Sequence, residues 1–214
     1  MEKRTFKDEA YAGIAAIAKA FATASRLEII DLLANGEKTV EQIAEQTSIS
    51  VANASRHLQI LKRAHLVKSR REGNYIFYRL NGRRAYAVWK ALRTLGLEEE
   101  PAMGHLIRQF REEMGSDKTL VYRDLSRRED VCLLDVRPWE EYEAGPLPGA
   151  LSLPLAELED RLKELPKDKI IITYCRGPFC TYADEAVRLL QNSGFKALRL
   201  EENVMDVKET NQVQ

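Results

Sequence analysis

No stretch of the 214 residues keeps an apolar run close to the ~18 residues needed to cross a bilayer, and no charged-then-apolar leader opens the chain, so neither a membrane span nor a secretory signal is expected. Cysteine is scarce as well. Three residues, Cys132, Cys175 and Cys180, are too few for a disulfide scaffold in a chain long enough for two domains of about 100 residues each. The expected setting is the cytoplasm, where these thiols are reduced at rest and a disulfide among them is an event. Net charge is lacking too, but the zero hides a division: residues 1–97 hold 17 Lys and Arg against 9 Asp and Glu, and residues 98–214 hold 16 against 24. The basic half has no cysteine. From Ser50 to Arg84 it has nine basic residues and a single acid, Glu72, a concentration that points to a polyanion met by one half of the chain.

In that half, Tyr11, Ile14, Ile17, Ala18 and Phe21 form a helical stripe flanked by Ala12, Gly13, Ala15 and Ala16, small enough for another helix to approach. Ser25-Arg-Leu-Glu28 reads as a capping box opening a second helix that stops at Asn35-Gly36, and Thr39-Val-Glu-Gln42 as another opening a short third. Ser50 caps a longer helix with Val51, Ala54, Leu58 and Leu61 inward. A basic run to Arg71, a Glu-Gly-Asn turn at 72–74 and a strand from Tyr75 to Leu80 predict a hairpin. A last helix, Arg83 to Leu95, carries Tyr86, Trp89, Leu92 and Leu95 on one side.

Helix, short helix, turn, helix and basic hairpin make a mainly-α winged helix-turn-helix. The helix from Ser50 is expected to enter a major groove of double-stranded DNA, with the hairpin along the backbone or minor groove and Arg70, Arg71 and Asn74 at its tip. Asn53, Ser55, Arg56, His57 and Gln59 have groups suited to base edges, whereas Lys62, Arg63, Lys68, Arg70 and Arg71 are placed for phosphates. His57 also reads as a packed or phosphate-touching histidine.

SVANASRHLQILKRAHLVKSRREGNYIFYRL, residues 50–80, resembles the recognition helix and wing of the ArsR/SmtB-type bacterial repressors, and the likeness extends over about residues 10–95. The resemblance implies a homodimer built from the first and last helices, each protomer reading one half of a near-palindromic operator. Many members sense metals through cysteines in the helix before the recognition helix or through histidines and acids in the last helix. Here Thr39-Val-Glu-Gln-Ile-Ala has no cysteine and the last helix no histidine, so no metal site is expected, and no cofactor.

Glu98-Glu-Glu100-Pro101 breaks the pattern. The expected division is 1–97 for DNA binding and dimerisation, 98–116 for a connecting helix striped with Met103, Leu106, Ile107, Phe110 and Met114, 117–205 for a second domain and 206–214 for a tail. In the second domain strands at Val131–Val136, Ile170–Tyr174 and Ala197–Leu200 alternate with helices at Trp139–Tyr142, Leu158–Leu165 and beyond Thr181. That alternation predicts an α/β fold, a parallel sheet flanked by helices with ligands at the strand C-terminal ends, where Asp135 and Cys175 fall. Cys175 is handed from a strand to a helix N-terminus, where loop N–H groups and the helix dipole favour a thiolate. Cys180 lies within reach of the loop's curvature and Arg176 adds a cation beside the sulfur. The plainer alternative is a small hydrophobe closing a strand, and Cys132 is most simply core.

LLDVRPWEEYEAGPLPGALSLPL, residues 133–155, followed by YCRGPFC, residues 174–180, resembles a single rhodanese domain over about residues 117–205. By that resemblance Cys175 is the nucleophile that carries a persulfide, Asp135 and Arg137 brace the active loop, and Arg176 follows the nucleophile as in many relatives. The chain departs from the pattern at Cys180, where the family's loop has an arginine, at Pro178-Phe179, and at Pro146, where a histidine is common. A cation is thereby lost to an anionic donor and a second thiol gained. Joined, the two likenesses imply a repressor that senses reactive sulfur, a polysulfide or low-molecular-weight persulfide, through Cys175 and then Cys180. The alternative is a sulfurtransferase that its DNA-binding half places or regulates. An oxyanion-handling loop ranks last, since Thr181 stands where a Cys-x5-Arg loop needs arginine, and peroxide acting on the same two thiols stays open.

Overall fold

In the computed structural model, which describes residues 2–125 and 128–210, the chain divides into two units, Met1–Leu95 and Gly96–Gln214. The first contains α1 (Lys3–Phe21), α2 (Ala24–Leu33), β1 (Lys38–Thr39), α3 (Val40–Gln46), α4 (Val51–Arg63), β2 (Val67–Glu72), β3 (Tyr75–Leu80) and most of α5 (Arg83–Glu99). Ile29, Ile30, Ile43, Leu58, Leu61 and Tyr86 lose all solvent contact in its core, each enclosed aliphatic side chain stabilising it by roughly 1.5–3 kcal/mol. The capping box at Thr39 forms, its hydroxyl accepting from the Gln42 N–H at 3.2 Å while the Gln42 side chain accepts from the Thr39 N–H at 2.9 Å. Ser50 caps α4 by accepting from the Asn53 N–H at 3.3 Å. The hairpin turns on Gly73 at φ 58°, a conformation that glycine adopts without strain, and β3 lies between β2 and the short β1 in an antiparallel sheet.

Two sequence expectations change here, at Ser25 and Val51. Ser25 does not cap α2: the extended residue is Thr23, two places earlier, so the Ser25-x-x-Glu28 pattern lies inside the helix. The junction is tied instead by Arg26, which donates to the Ala20 and Lys19 carbonyls at 2.5 and 2.7 Å and so satisfies the orphaned end of α1. Val51, read as inward, is exposed at the first turn of α4. On α1 only Ala20 and Phe21 are buried, and Tyr11, Ile14 and Ile17 of the apolar stripe stand exposed.

The second unit opens with α6 (Pro101–Met114), stopped by Gly115 at φ 71°. There follow β4 (Thr119–Leu120), β5 (Val131–Asp135), α7 (Trp139–Glu143), β6 (Leu151–Ser152), α8 (Leu155–Leu158), β7 (Ile170–Tyr174), α9 (Tyr182–Asn192), β8 (Ala197–Leu200) and α10 (Val204–Thr210). The five strands are parallel in the order β4-β8-β7-β5-β6, with β7 central. Period-two alternation loads both faces: Leu134 and Ile171 enter one core with Ala183, Ala186 and Leu190 of α9, and Leu133, Ile172 and Tyr174 enter the other with Val204 and Val207 of α10. The helix expected over Leu158–Leu165 is instead α8 and a separate 3-10 turn at Leu162–Glu164. Pro154 starts the helix early, and Pro166 holds Leu165 extended at ψ 140°. Residues 211–214 of the expected tail lie outside the described residues.

Candidate functional site

Cys175 follows the last residue of the central strand, and the loop from Arg176 to Thr181 delivers the chain to α9. Cys175 is 2% exposed. Its sulfur lies 3.3 Å from the Cys180 carbonyl oxygen and accepts a hydrogen bond from the Cys180 thiol. Burial by itself pushes the Cys175 thiol up, but the Cys180 thiol, the Arg199 charge and the N–H groups of Ala183 and Gly177 outweigh it and hold the group down at about 6. The bond that stabilises one sulfur holds the proton on the other, so Cys180 is pushed well above the usual thiol range.

Arg199, on β8 beside Thr173 of the central strand, organises this loop. It is 1% exposed, donates through Nη2 to the Gly177 carbonyl at 2.6 Å and through Nη1 to the Cys180 carbonyl at 3.2 Å, and pairs with the Asp184 carboxylate. Asp184 accepts from the Ser116 hydroxyl at 2.6 Å, and the Ser116 N–H returns to the Arg111 carbonyl of α6 at 2.8 Å. Gly177 has φ 130°, where a side chain is strained. The sequence reading missed Arg199. Its one signal was a lone charge in Ala-Leu-Arg-Leu, a strand otherwise fit for burial, because a buried cation needs a partner; nothing local names Asp184.

Arg176 does not sit as expected. Its guanidinium turns to Glu141 of α7, 2.7 Å away and almost wholly buried, and lies over the Tyr182 ring. The cation that faces Cys175 is Arg199, while the Arg176 charge is felt at Cys180. Asn203 secures the loop from the other side by donating to the Arg176 carbonyl at 3.0 Å. Asp135 and Arg137 form a forked, fully buried pair, 2.6 Å at its shorter arm and 2.9 Å at the other. The Tyr174 hydroxyl donates to the same carboxylate at 2.6 Å and accepts from the Leu147 N–H at 3.1 Å. Asp135 and Arg137 thus act on Tyr174, the residue before Cys175.

In the first unit Asn53, Arg56, Gln59, Lys62 and Arg63 of α4 are exposed, and Ser55 and His57 half-buried. Asn53 and Arg56 share one row of the helix, and Ser55, Gln59 and Lys62 the next. Gln59 donates to the Tyr78 hydroxyl at 3.2 Å and Lys62 to the Ser69 hydroxyl at 2.7 Å, fixing the helix against the hairpin. Nδ1 of His57 is enclosed without a hydrogen-bond partner among the described residues. Burial, then the charges of Arg26 and Arg56, hold this imidazole below its usual value. Lys68, Arg71 and Asn74 are exposed along the hairpin, Arg71 donating to the Gly73 carbonyl at 3.1 Å. Arg70 is not at the tip: it lies opposite Phe77 within the ladder, its guanidinium over that ring at 4.5 Å and bonded to Glu72 and, at 2.7 Å, to Glu37. Glu37 also holds Arg79 at 3.2 Å.

Among the described residues no group of His, Cys, Asp and Glu is placed to hold a metal ion, and no helix is long and apolar enough to cross a membrane.

Residues 23–69 match the family described as "Bacterial regulatory protein, arsR family", and residues 117–208 match "Rhodanese-like domain". The HTH-type transcriptional regulator Rv0324 of Mycobacterium tuberculosis is 40% identical over 197 residues, 90% of this chain and 86% of that protein. A sulfurtransferase of Allochromatium vinosum is 34% identical over 79 residues, 37% of this chain and 72% of that one. Among solved structures, the homodimeric winged helix-turn-helix DNA-binding domain Mb0332 of Mycobacterium bovis is 36% identical, covers 47% of this chain and 91% of its own, and superposes with a TM-score of 0.43. With one relative alike along most of its length and each half matched in its own right, the chain belongs to the ArsR family of DNA-binding helix-turn-helix transcriptional regulators, in a form that carries a rhodanese-like domain.

Proposed function

We propose that this regulator is a cytoplasmic repressor that grips a near-palindromic operator as a homodimer and releases it when reactive sulfur converts Cys175 and Cys180 from a dithiol to a disulfide. The observation that carries the reading is geometric: two thiols share one short loop, the Cys175 sulfur 3.3 Å from the Cys180 carbonyl oxygen and that carbonyl held by Arg199, with the same cation helping to hold the Cys175 thiol below its usual value. A thiolate is the form that attacks a sulfane sulfur, and a neighbouring thiol resolves the product.

Closing the disulfide removes the sulfur–sulfur hydrogen bond and shifts the Cys180 carbonyl that Arg199 holds. From there hydrogen bonds run through Asp184 and Ser116 to the C-terminal turn of α6, and only Glu100 separates α6 from α5 in the sequence. Val88, Leu92 and Leu95 of α5 and Tyr11, Ile14 and Ile17 of α1 are exposed in a single chain, apolar faces that a second copy covers in the proposed dimer. A hundredfold loss of operator affinity requires about 2.7 kcal/mol of coupling, within the usual range.

The test is fluorescence anisotropy on a duplex selected with the reduced protein, with and without inorganic polysulfide. Wild type is expected to lose affinity about a hundredfold while Cys175→Ser keeps it; equal release from both would falsify the switch. The likeness to a sulfurtransferase favours steady turnover as a second reading. Against it, Arg176 and Arg199 are both committed to carboxylates, which leaves a dianionic donor such as thiosulfate poorly held. Multiple turnovers with thiosulfate and cyanide would reverse that order.

A further inference from the structure

In the proposed switch a disulfide between Cys175 and Cys180 has to be undone before the operator is bound again, and the structure offers a reductant one of the two sulfurs. Between α6 and the cysteine loop lies a half-open groove of about 330 Å³, at the small end of the range for small-molecule sites. Leu106, Ile107 and Phe110 form one wall, and Phe179 and Cys180 stand on the other. Cys180 is half-buried where it meets this space. Cys175 does not line it: that sulfur is 2% exposed and packs in the core with Leu134, Ala183 and Val187. Thiol–disulfide exchange goes by attack of a thiolate on one sulfur and departure of the other, with the three sulfurs in line. An attack on Cys180 comes out of the groove, whereas one on Cys175 would have to come through the side chains packed behind it. The leaving groups differ in the same direction. Arg199 and the N–H groups of Ala183 and Gly177 stabilise a departing Cys175 thiolate, whereas the neighbouring Cys175 sulfur and burial disfavour charge on Cys180, and the better-stabilised thiolate leaves faster.

We propose that the switch is reset by a low-molecular-weight thiol that enters this groove and attacks Cys180, with Cys175 as the leaving group. The inference rests on reading the two cysteines as a switch that ends in a disulfide, and it adds the step that consumes that disulfide. Each R–SH first gives its proton to water. One R–S⁻ bonds to the Cys180 sulfur, the Cys175–Cys180 bond breaks, and its electron pair stays on Cys175 as the thiolate. A second R–S⁻ attacks the R sulfur of the mixed disulfide; R–S–S–R departs and the Cys180 sulfur takes a proton from water. Two R–SH are thereby oxidised and the protein disulfide takes up their two electrons, with no other reagent. The size of the groove selects a small thiol. Its walls give no hold to a body with further negative charge, since Arg111 is met by Glu201 at 2.9 Å and Arg199 by Asp184. The sulfur at the end of the central strand is thus nucleophile when the disulfide forms and leaving group when it opens, and the sulfur on the groove is the one that outside thiols meet.

The experiment starts from the full chain oxidised with diamide, so that the disulfide is made without any sulfur donor. It is then reduced with 2-mercaptoethanol, quenched with acid and mapped by peptide mass. The mixed disulfide is expected on Cys180, with Cys175 free. Leu106 lines the groove and is 67% exposed, so a charge placed there acts on the groove without cost to the core. Leu106→Glu is expected to slow reduction about threefold and Leu106→Lys to speed it about threefold, because the incoming sulfur is an anion; a part in packing alone would move both rates the same way. Mercaptoethanol found on Cys175, or rates that the two variants leave unchanged or move in one direction, overturns the inference and spares the sulfur-sensing reading. A chain that forms the disulfide with diamide but not with polysulfide overturns reactive sulfur as the signal and leaves this step standing. One that forms it with neither overturns both.

Discussion

The two units use arginine in opposite ways. In the first, Arg56, Arg63 and Arg71 face water on α4 and the hairpin, where charge acts outward on a polyanion and the surrounding salt sets its reach. In the second, Arg111, Arg137, Arg176 and Arg199 are each less than a tenth exposed, and each meets a carboxylate. Charge in the first unit is a means of binding; in the second it is internal structure that fixes a loop. Substitutions should therefore separate: at the exposed arginines of α4 and the hairpin they change affinity and spare the fold, and at the four buried arginines of the second unit the reverse, with buried Arg26 at the α1–α2 junction behaving like the latter.

The sharpest test is Arg137→Met. It leaves the Asp135 carboxylate buried without its cation, and the second unit is expected to lose about 3–5 kcal/mol, read as an earlier denaturation step in urea while the step belonging to the first unit stays in place. A common shift of both steps breaks the contrast. Next is pH. Folded Cys175 titrates near 6 and an unfolded thiol near about 8.5, so its contribution to stability is fully present above the unfolded value and is lost as pH falls through 6. Cys180, held protonated, works the other way in alkali. Urea midpoints should rise from pH 6 toward 8.5 in wild type, and Cys175→Ser should flatten that rise.

Arg56→Ala comes third, with no change in stability and a loss of operator affinity of about 1–3 kcal/mol that relaxes preference at one base position. Thr39→Ala removes one half of a capping box and is expected to cost about 1 kcal/mol in the first unit, by thermal melting. The smallest difference separates two neighbours on the hairpin. Lys68→Ala should lower the salt slope of DNA binding by about 1, whereas Arg70→Ala, whose charge is already met by Glu37 and Glu72, should leave the slope nearly unchanged.

What the residues disclosed in advance was whatever a short window contains. The Thr39 box, the Ser50 cap, the hairpin around Gly73 and the strand from Ile170 to Tyr174 all depend on neighbours within a few positions, and each formed where expected. The loop's supports come from far along the chain: Glu141, Arg199 and Asn203 reach it across 35, 22 and 27 residues respectively, and no local pattern specifies such pairings. Arg176 was misjudged for that reason, since adjacency to Cys175 says nothing of a glutamate on another helix. The apolar stripe of α1 illustrates a further limit: periodicity marks a face as suited to cover but does not say which chain supplies the cover. Pro154 and Pro166 bracket the 158–165 segment and set where it starts and stops, but the break between α8 and the 3-10 turn, at Glu159–Arg161, has no proline or glycine to mark it.

Glu37, just before β1, reaches the wing from outside it and holds Arg70 and Arg79 together where an approaching phosphate would meet them. A phosphate arriving there must exchange with a tethered anion instead of condensing onto bare charge, so contact at those two side chains adds little to the grip on arbitrary sequence. The wing is thereby pre-shaped, with two of its arginines already neutralised before any polyanion arrives.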